Sequence, residues 1–311
     1  NALISGITRA IRVSKGRQRG GNHVLTSAFE HHAVLEPVQA LKREGYEISL
    51  VRPTREGFIA PDAFAQALRP DTVLASVMLA QNELGCIQAI AELARIAHAN
   101  GTLLHSDAVQ ALGRCAFDVD SLGVDAASFS AHKLGGPKGI GAFYLRGRTP
   151  FSGTQLGGGQ ENNRRGGTQN VAGAVGFARA LELASLEQEK EAARLRKLRD
   201  YLAASLLALD RRIALTVPLT DSPNSHLPGM LNFTVAGFES QTLILKLDRA
   251  GFALSGGSAC SSGSLEPSHV LSALGLSRDR ALGALRVSLG RENTGEQLDA
   301  FLAALAEALG H

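Results

Sequence analysis

The first half of the chain alternates short apolar runs with stretches whose apolar residues recur every three or four positions. The runs are typical of buried strands, and the periodic stretches are typical of amphipathic helices. This alternation predicts an α/β fold with a mainly parallel sheet, in which ligands bind at the carboxyl ends of the strands. The predicted strands are 23–27, 47–51, 72–79, 102–105, 126–130 and 140–145, and the predicted helices are about 33–44, 62–68 and 90–100.

The second half is less regular and predicts a smaller α+β domain. A Gly-rich stretch over 147–167 predicts a loop, and a long helical pattern then runs from Val171 past Tyr201. The later predicted elements are strand 230–235, helix 241–250, strand 285–289 and a last helix whose Thr294 and Gln297 have capping-box spacing. We therefore expect a large domain over 1–187 and a small C-terminal domain over 188–311.

Composition excludes several classes of protein. With 311 residues and 44% hydrophobic content, the chain is long enough for two domains with cores of their own. A net charge of +3 without basic runs argues against a nucleic-acid partner, and the lack of a long apolar stretch argues against a membrane protein. Three cysteines without CxxC spacing argue against a disulfide framework and a zinc site, so we expect a reducing, cytoplasmic location.

The segment Ser-Phe-Ser-Ala-His-Lys over 128–133 carries the first chemical signal. An apolar run brings Ser130, His132 and Lys133 to a strand end, and a Gly/Pro loop follows. A desolvated lysine has a lowered pKa and forms a Schiff base with an aldehyde, while serine and histidine beside it can hold a phosphate. The pattern indicates a lysine that carries pyridoxal phosphate. The alternative is a surface lysine in a polar loop.

Asp107 strengthens the first interpretation. It ends a short apolar strand that follows the predicted helix closed by Gly101. A carboxylate there suits the pyridine nitrogen of the cofactor, because its negative charge keeps that nitrogen protonated and the ring able to accept electrons. Gln110 follows one turn later and is placed to donate to the phenolic oxygen of the ring. The alternative is a turn or N-cap aspartate.

Cys260 lies among three glycines and five serines over 255–264, which predicts an exposed loop. Reactive cysteines are accessible, so the pattern favours a nucleophile on a moving arm over an accidental surface cysteine. Cys86 and Cys115 have apolar neighbours and are predicted to pack in a core. Arg286 interrupts an apolar strand pattern, which favours bidentate binding of a substrate carboxylate over a structural salt bridge.

Taken together, these features make the chain resemble the cysteine desulfurases, the NifS/IscS-like family of fold type I pyridoxal-phosphate enzymes within the class V aminotransferases. The length of the segment around Cys260 resembles the group with a long catalytic loop. The matching segments are 30–35 (EHHAVL), 82–85 (NELG), 105–110 (HSDAVQ), 128–133 (SFSAHK), 157–161 (GGGQE), 165–168 (RGGT), 258–268 (SACSSGSLEPS) and 286–291 (RVSLGR).

The resemblance implies a reaction and a set of roles. Pyridoxal 5'-phosphate on Lys133 removes sulfur from L-cysteine, which leaves L-alanine and a persulfide on Cys260. His31 stacks on the ring and takes part in proton transfer, and Asn82 contacts the ring oxygen or the substrate. Thr168 reaches the phosphate of the other subunit, which implies a homodimer. Further implied roles are those already named for Asp107, Gln110, Ser130, His132 and Arg286.

The resemblance also implies partners for the sulfur. An iron–sulfur scaffold or another sulfur-acceptor protein receives it in the cytoplasm, and Cys260 is a candidate transient ligand of an iron–sulfur cluster. In family members a strand, turn and helix with a Gly-Thr-Glu phosphate cup precede the residue that matches Asn1. We therefore expect this chain to lack about the first fifth of the usual enzyme.

Two other classes of function remain open from the sequence. A pseudoenzyme would bind partners without turnover of the cofactor. A related aminotransferase or selenocysteine lyase would share Lys133 and Asp107, but it would not need Cys260 in a long Ser/Gly loop.

Overall fold

The computed structural model describes residues 1–15, 21–220, 222, 224–256 and 266–311. The chain forms two compact units. The first comprises Asn1–Arg52, Ile59–Ala80 and Gln88–Leu186, and the second comprises Pro53–Phe58, Gln81–Ile87 and Glu187–His311. Two short segments of the first half thus belong to the second unit, so a single domain boundary in the sequence does not describe this division. The predicted domains 1–187 and 188–311 stay a prediction.

The first unit contains a sheet that has six strands within the described residues. The strand order is β2-β1-β3-β4-β5-β6, and every neighbouring pair is parallel except β5 and β6. Only ten residues join β5 to β6, too few for the crossover that a parallel pair needs. The predicted α/β fold class is confirmed. The strands are β1 His23–Ser27, β2 Glu47–Val51, β3 Thr72–Ser76, β4 Leu103–Asp107, β5 Ala126–Ser130 and β6 Gly141–Leu145.

Helices of the first unit pack on this sheet through apolar faces. Residues Ile4, Ile7 and Ile11 share one face of the first helix and join Val38 and Leu74 in a buried cluster. The helices are α1 Ala2–Lys15, α2 His32–Leu41, α3 Pro61–Ala67, α4 Ile90–Ala99, α5 Val119–Leu122, α6 Gln160–Asn163 and the start of α7 Val171–Leu209.

The second unit contains a three-stranded antiparallel sheet in the order β7-β8-β9 among the residues that the structure describes. Its core includes Leu206 of α7, Phe233, Leu243, Leu285 and Leu305. The strands are β7 Ile213–Leu215, β8 Met230–Val235 and β9 Ala284–Ser288, and the helices are α8 Ser240–Arg249, α9 His269–Ala273, α10 Arg278–Leu282 and α11 Gly295–Leu309.

The carboxyl end of β3 differs from the sequence prediction, because β3 stops at Ser76 although the apolar run continues to residue 79. Asp107 ends β4, as the sequence pattern indicated. The neighbouring β1 ends at Ser27, so residues 77–79 have a strand partner on one side only. There the backbone N–H groups of Val77 and Leu79 donate to the carbonyls of His105 and Asp107 at 3.1 and 2.9 Å.

None of the described helices is both long enough and apolar enough to cross a lipid bilayer.

Candidate active site

The carboxyl ends of β4 and β5 bring the first set of predicted site residues together. Asp107 ends β4 in register with Ser128 of β5, and β5 ends at Ser130. A 3-10 turn over Ala131–Leu134 then presents His132 and Lys133. Gly135 closes the turn at φ 87°, a conformation that favours glycine. The Gly/Pro signal of the sequence therefore bends the chain directly after the lysine.

Asp107 is a buried carboxylate, only 7% exposed. Burial raises its pKa, while a hydrogen bond from the backbone N–H of Val109 to Oδ1 at 3.0 Å and the charge of His31 lower it. No lysine, arginine or histidine side chain of the described residues forms an ion pair with it. A buried carboxylate of this kind is stabilised by a cationic partner.

Arg114 connects Gln110 to the lysine turn. Its Nη1 donates to Gln110 Oε1 at 2.7 Å, and its Nη2 donates to the backbone carbonyl of Lys133 at 2.8 Å. Because an arginine only donates, the accepting atom of the Gln110 amide must be its oxygen. This leaves the Gln110 Nε2 group as a donor, the role that the sequence predicted for it. Lys133 itself is partly buried.

His31 is the N-cap of α2, and its Nδ1 accepts a hydrogen bond from the backbone N–H of Ala33 at 3.0 Å. Burial lowers its pKa, the charge of Asp107 opposes this effect, and the charge of Lys133 adds to it. Asp107 and Lys133 thus both lie close enough to His31 to act on it. Since Nδ1 accepts, the neutral ring carries its proton on Nε2.

The two predicted phosphate ligands form a pair. Ser130 Oγ lies 2.8 Å from His132 Nδ1, and the His132 side chain is exposed. Thr168 is exposed in the segment between α6 and α7. The last three residues of α6, Glu161 to Asn163, have positive φ although none is glycine. Such a strained backbone often occurs at functional sites.

Asn82 and Arg286 belong to the second unit, where they touch each other. Arg286 lies on β9 opposite Asn232, and its Nη1 donates to the backbone carbonyl of Asn82 at 2.9 Å. Asn82 Oδ1 is buried and has no hydrogen-bond partner among the described residues. A guanidinium and an unpaired acceptor side by side can recognise a carboxylate and an amine or hydroxyl donor.

Cys260 lies outside the described residues, so its roles as nucleophile and as transient iron–sulfur ligand stay predictions. The other cysteines are unlike a nucleophile. Cys86 is buried, and burial raises its pKa to about 12; Cys115 is partly buried, and burial raises its pKa to about 11. Among the described residues no group of histidine, cysteine and acidic side chains is arranged to hold a metal ion.

Sequence reasoning missed three polar residues of the first unit. Arg114 follows Gln110 by four residues, a helical spacing that could have indicated their contact. His105 is fully buried between Ser76 and Ser128, and Glu30 is fully buried directly before His31. A polar residue inside or next to an apolar strand pattern was the available signal for both.

The chain is similar to several known proteins. The family model for aminotransferase class-V matches residues 4–301. The chain is 46% identical over 299 residues to the cysteine desulfurase IscS of Dictyoglomus turgidum, covering 96% of this chain and 73% of that protein. It is 42% identical over 287 residues to the IscS of Methanosarcina thermophila, covering 92% and 70%.

A solved structure of a NifS-like protein superposes with a TM-score of 0.88 at 35% identity, covering 98% of this chain and 79% of that one.

Proposed function

Because the chain belongs to the cysteine desulfurases of the aminotransferase class-V family, we propose that it removes sulfur from L-cysteine with pyridoxal 5'-phosphate. The Cβ–S bond of the substrate breaks and an S–S bond forms on Cys260. The Cys260 thiol loses one hydrogen, and alanine gains one hydrogen at Cβ, so the reaction balances. The products are L-alanine and a persulfide on Cys260, without any other oxidant or reductant.

The residues at the carboxyl edge of the first unit's sheet fit this cofactor. The Asp107 carboxylate is buried without an ion-pair partner among the described side chains, and a protonated pyridine nitrogen is the cation that matches it. The amide nitrogen of Gln110 matches the phenolic oxygen, and Ser130 with His132 matches the phosphate. When bound through Lys133, pyridoxal phosphate supplies an electron sink for the bond-breaking at the substrate.

The chain's own residues supply binding and proton transfer. Arg286 binds the substrate carboxylate, and Asn82 Oδ1 accepts from a donor of the substrate or the ring. The Lys133 amine takes the α-proton, and the Asp107 carboxylate holds the pyridine proton. His31, with its proton on Nε2, is set to donate to the sulfur or carbon that gains a hydrogen. Cys260 attacks the substrate sulfur as a thiolate.

We propose further that the enzyme is a homodimer. Leu156, Val171 and Val175 of the first unit are more than 60% exposed, an unusual density of large apolar side chains near Thr168 in the chain. A second copy that covers these side chains would lie near Thr168, as the proposed role of Thr168 at the partner's phosphate requires. The sulfur passes to an iron–sulfur scaffold or another sulfur-acceptor protein in the cytoplasm, and Cys260 is a candidate transient ligand of the cluster.

The single observation that carries the proposal is the placement of Asp107 at the end of β4 and of Lys133 in the turn that follows the adjacent β5. A buried carboxylate and an amine at the ends of adjacent strands are what a cofactor with a pyridine nitrogen and an aldehyde requires. The Ser/Gly-rich segment around Cys260 favours a desulfurase over an aminotransferase, which would need no thiol there.

The test mixes the purified chain with pyridoxal phosphate and L-cysteine, without a keto acid, and measures alanine and enzyme-bound persulfide together. We expect equal amounts of both in a first turnover. Cys260→Ser should form no persulfide yet keep the absorbance of bound cofactor, and Lys133→Ala should lose that absorbance. Cys115→Ser is the matched control and should behave as wild type. Persulfide formation by Cys260→Ser, or alanine formation only with a keto acid, would refute the proposal.

A further inference from the structure

Glu30 is a fully buried acid in the turn between β1 and α2. Its Oε1 accepts two hydrogen bonds, from Ser27 Oγ at 2.5 Å and from the backbone N–H of Met78 at 2.7 Å. Ser27 is the last residue of β1, and Met78 lies two residues beyond the end of β3. The carboxyl therefore joins two strand ends at the edge of the sheet where the cofactor residues lie.

The hydrogen bond from Met78 to Glu30 takes the place of a backbone hydrogen bond between β1 and β3. β1 and β3 are paired up to Thr26 and Ser76, after which β1 turns toward α2. The N–H groups on either side of Met78, those of Val77 and Leu79, donate to β4 carbonyls. The Met78 N–H has the Glu30 side chain as its partner, in place of a β1 carbonyl.

A continuous path of bonds thus runs from Asp107 to His31. The backbone carbonyl of Asp107 accepts from Leu79 at 2.9 Å, Met78 donates to Glu30, and His31 follows Glu30 directly in the chain. Loss of the Glu30 carboxyl would leave a buried N–H without its acceptor and would free the turn that carries His31.

The protonation state of Glu30 follows from its surroundings. Burial raises the pKa of its carboxyl to about 8; hydrogen bonds from Ser27 and Met78 oppose this effect and the charge of Asp107 adds to it. The elements around Glu30 also carry His23 on β1, His32 and Glu36 on α2 and His105 on β4, and His31 follows Glu30 directly. Burial is the main reason why Glu30 favours its neutral form, and the charge of Asp107 acts in the same direction.

From this geometry we infer that Glu30 is a positioning residue whose Oε1 holds the His31 turn in register with the strand that carries Asp107. The inference rests on the proposed roles of His31 and Asp107 at the two sides of the cofactor ring. It adds a requirement that those roles do not contain: at Glu30 the shape and acceptor oxygen matter, and a negative charge does not.

The test compares Glu30→Gln, Glu30→Ala and Glu30→Asp in the full chain. Glutamine keeps the acceptor oxygen and the shape of a neutral acid, so its affinity for pyridoxal phosphate should stay within about twofold of wild type. Alanine removes the acceptor, and the affinity should fall about tenfold or more, the order expected when a buried donor loses its partner. The Glu30→Asp variant leaves a smaller cavity than Glu30→Ala and serves if the alanine variant fails to fold. Because the aspartate side chain is shorter, the affinity for pyridoxal phosphate should fall as it does in Glu30→Ala.

An infrared measurement on the chain without cofactor tests the protonation state directly. We expect the band of a protonated buried carboxyl at pH 7 in wild type, and its loss in Glu30→Gln. Glu36→Gln is the matched control, because Glu36 is an exposed acid on α2, the helix that follows Glu30, and its change should leave the band in place.

Either of two results would overturn the inference. One is a Glu30→Gln variant that binds the cofactor as poorly as Glu30→Ala or Glu30→Asp, which would mean that the charge is needed. The other is an infrared band that Glu30→Gln does not alter. Neither readout depends on Cys260, so a failure here is distinguishable from a failure of the desulfurase reaction, which Cys260→Ser decides.

Discussion

At the scale of single residues, His105 shows how a polar side chain is accommodated inside the sheet. Its Nδ1 lies 2.8 Å from Ser76 Oγ and its Nε2 lies 2.7 Å from Ser128 Oγ, so the ring joins β3, β4 and β5. Burial lowers the pKa of His105 to about 3. The folded protein therefore holds this ring neutral over a pH range in which an unfolded chain would protonate it.

This difference makes the stability depend on pH. Between about pH 6.5 and pH 3 the unfolded chain binds a proton at this residue that the folded chain does not, so the free energy of unfolding falls as the pH falls. One proton corresponds to about 1.4 kcal/mol per pH unit. We expect His105→Gln to reduce the slope by about this amount in urea titrations between pH 4.5 and 6.

Ser128→Ala is the control for this prediction. It removes one hydrogen bond but keeps the imidazole, so the protein should be less stable at every pH with the slope retained. His226, whose pKa burial lowers to about 4, contributes a slope of the same sign that stays in both variants. An unchanged slope in His105→Gln would contradict the assignment.

At the scale of elements, α11 shows how far local sequence can predict a helix end. The predicted capping box is confirmed: Thr294 Oγ1 accepts from the backbone N–H of Gln297, and the Gln297 side chain accepts from the backbone N–H of Thr294. All of these groups lie within four residues, so tertiary contacts are not needed to form them.

The capping box predicts a measurable loss. Thr294→Ala should lower the free energy of unfolding by about 1 kcal/mol, because the first turn of α11 loses a partner for one of its N–H groups. Thr294→Ser keeps the hydroxyl and should stay close to wild type in the same urea titration. Equal losses in both variants would indicate that the threonine methyl group, not the cap, stabilises the helix.

Other element ends depended on neighbouring strands. The apolar run of β3 predicted a strand to residue 79, but the described strand ends at Ser76, where its partner β1 turns away. β4 continues to Asp107, which pairs with Ser128 of β5 and whose carbonyl accepts from the backbone N–H of Leu79, beyond the end of β3. Strand ends follow from the lengths of adjacent strands, and a single run of residues carries no information on its neighbours.

At the scale of the whole molecule, the exposed apolar side chains of the first unit predict self-association. Val175 is 63% exposed on α7, one turn after Val171, which is 67% exposed. Val175→Glu should convert the proposed dimer to a monomer in sedimentation, because a carboxylate buried at an apolar interface lacks a partner. If Thr168 reaches the partner's phosphate, the affinity for pyridoxal phosphate should fall as well.

Leu245→Glu is the matched control for this prediction. Leu245 is 66% exposed on α8 of the second unit, so the substitution is of the same kind at a similarly exposed site. The control variant should remain a dimer. A wild-type chain that sediments as a monomer, or equal behaviour of the two variants, would contradict the proposed interface.

The sequence by itself determined the fold class and the family, and with the family the cofactor. Apolar periodicity reports burial, a Gly/Pro loop after Ser130-Ala131-His132-Lys133 reports a sharp turn, and the comparisons confirm the family that these motifs resemble. These signals are local, because each depends on residues that are neighbours in the chain. The individual roles of the predicted site residues stay predictions.

Only the tertiary structure decided which distant groups meet. Glu30 accepts from Met78 across 48 residues, and Arg286 donates to Asn82 across 204 residues, which places Asn82 in the second unit. Such pairs depend on the order in which strands assemble and on where each one ends. The periodicity of a sequence reports which side of an element is buried, but it does not specify which other element lies against that side.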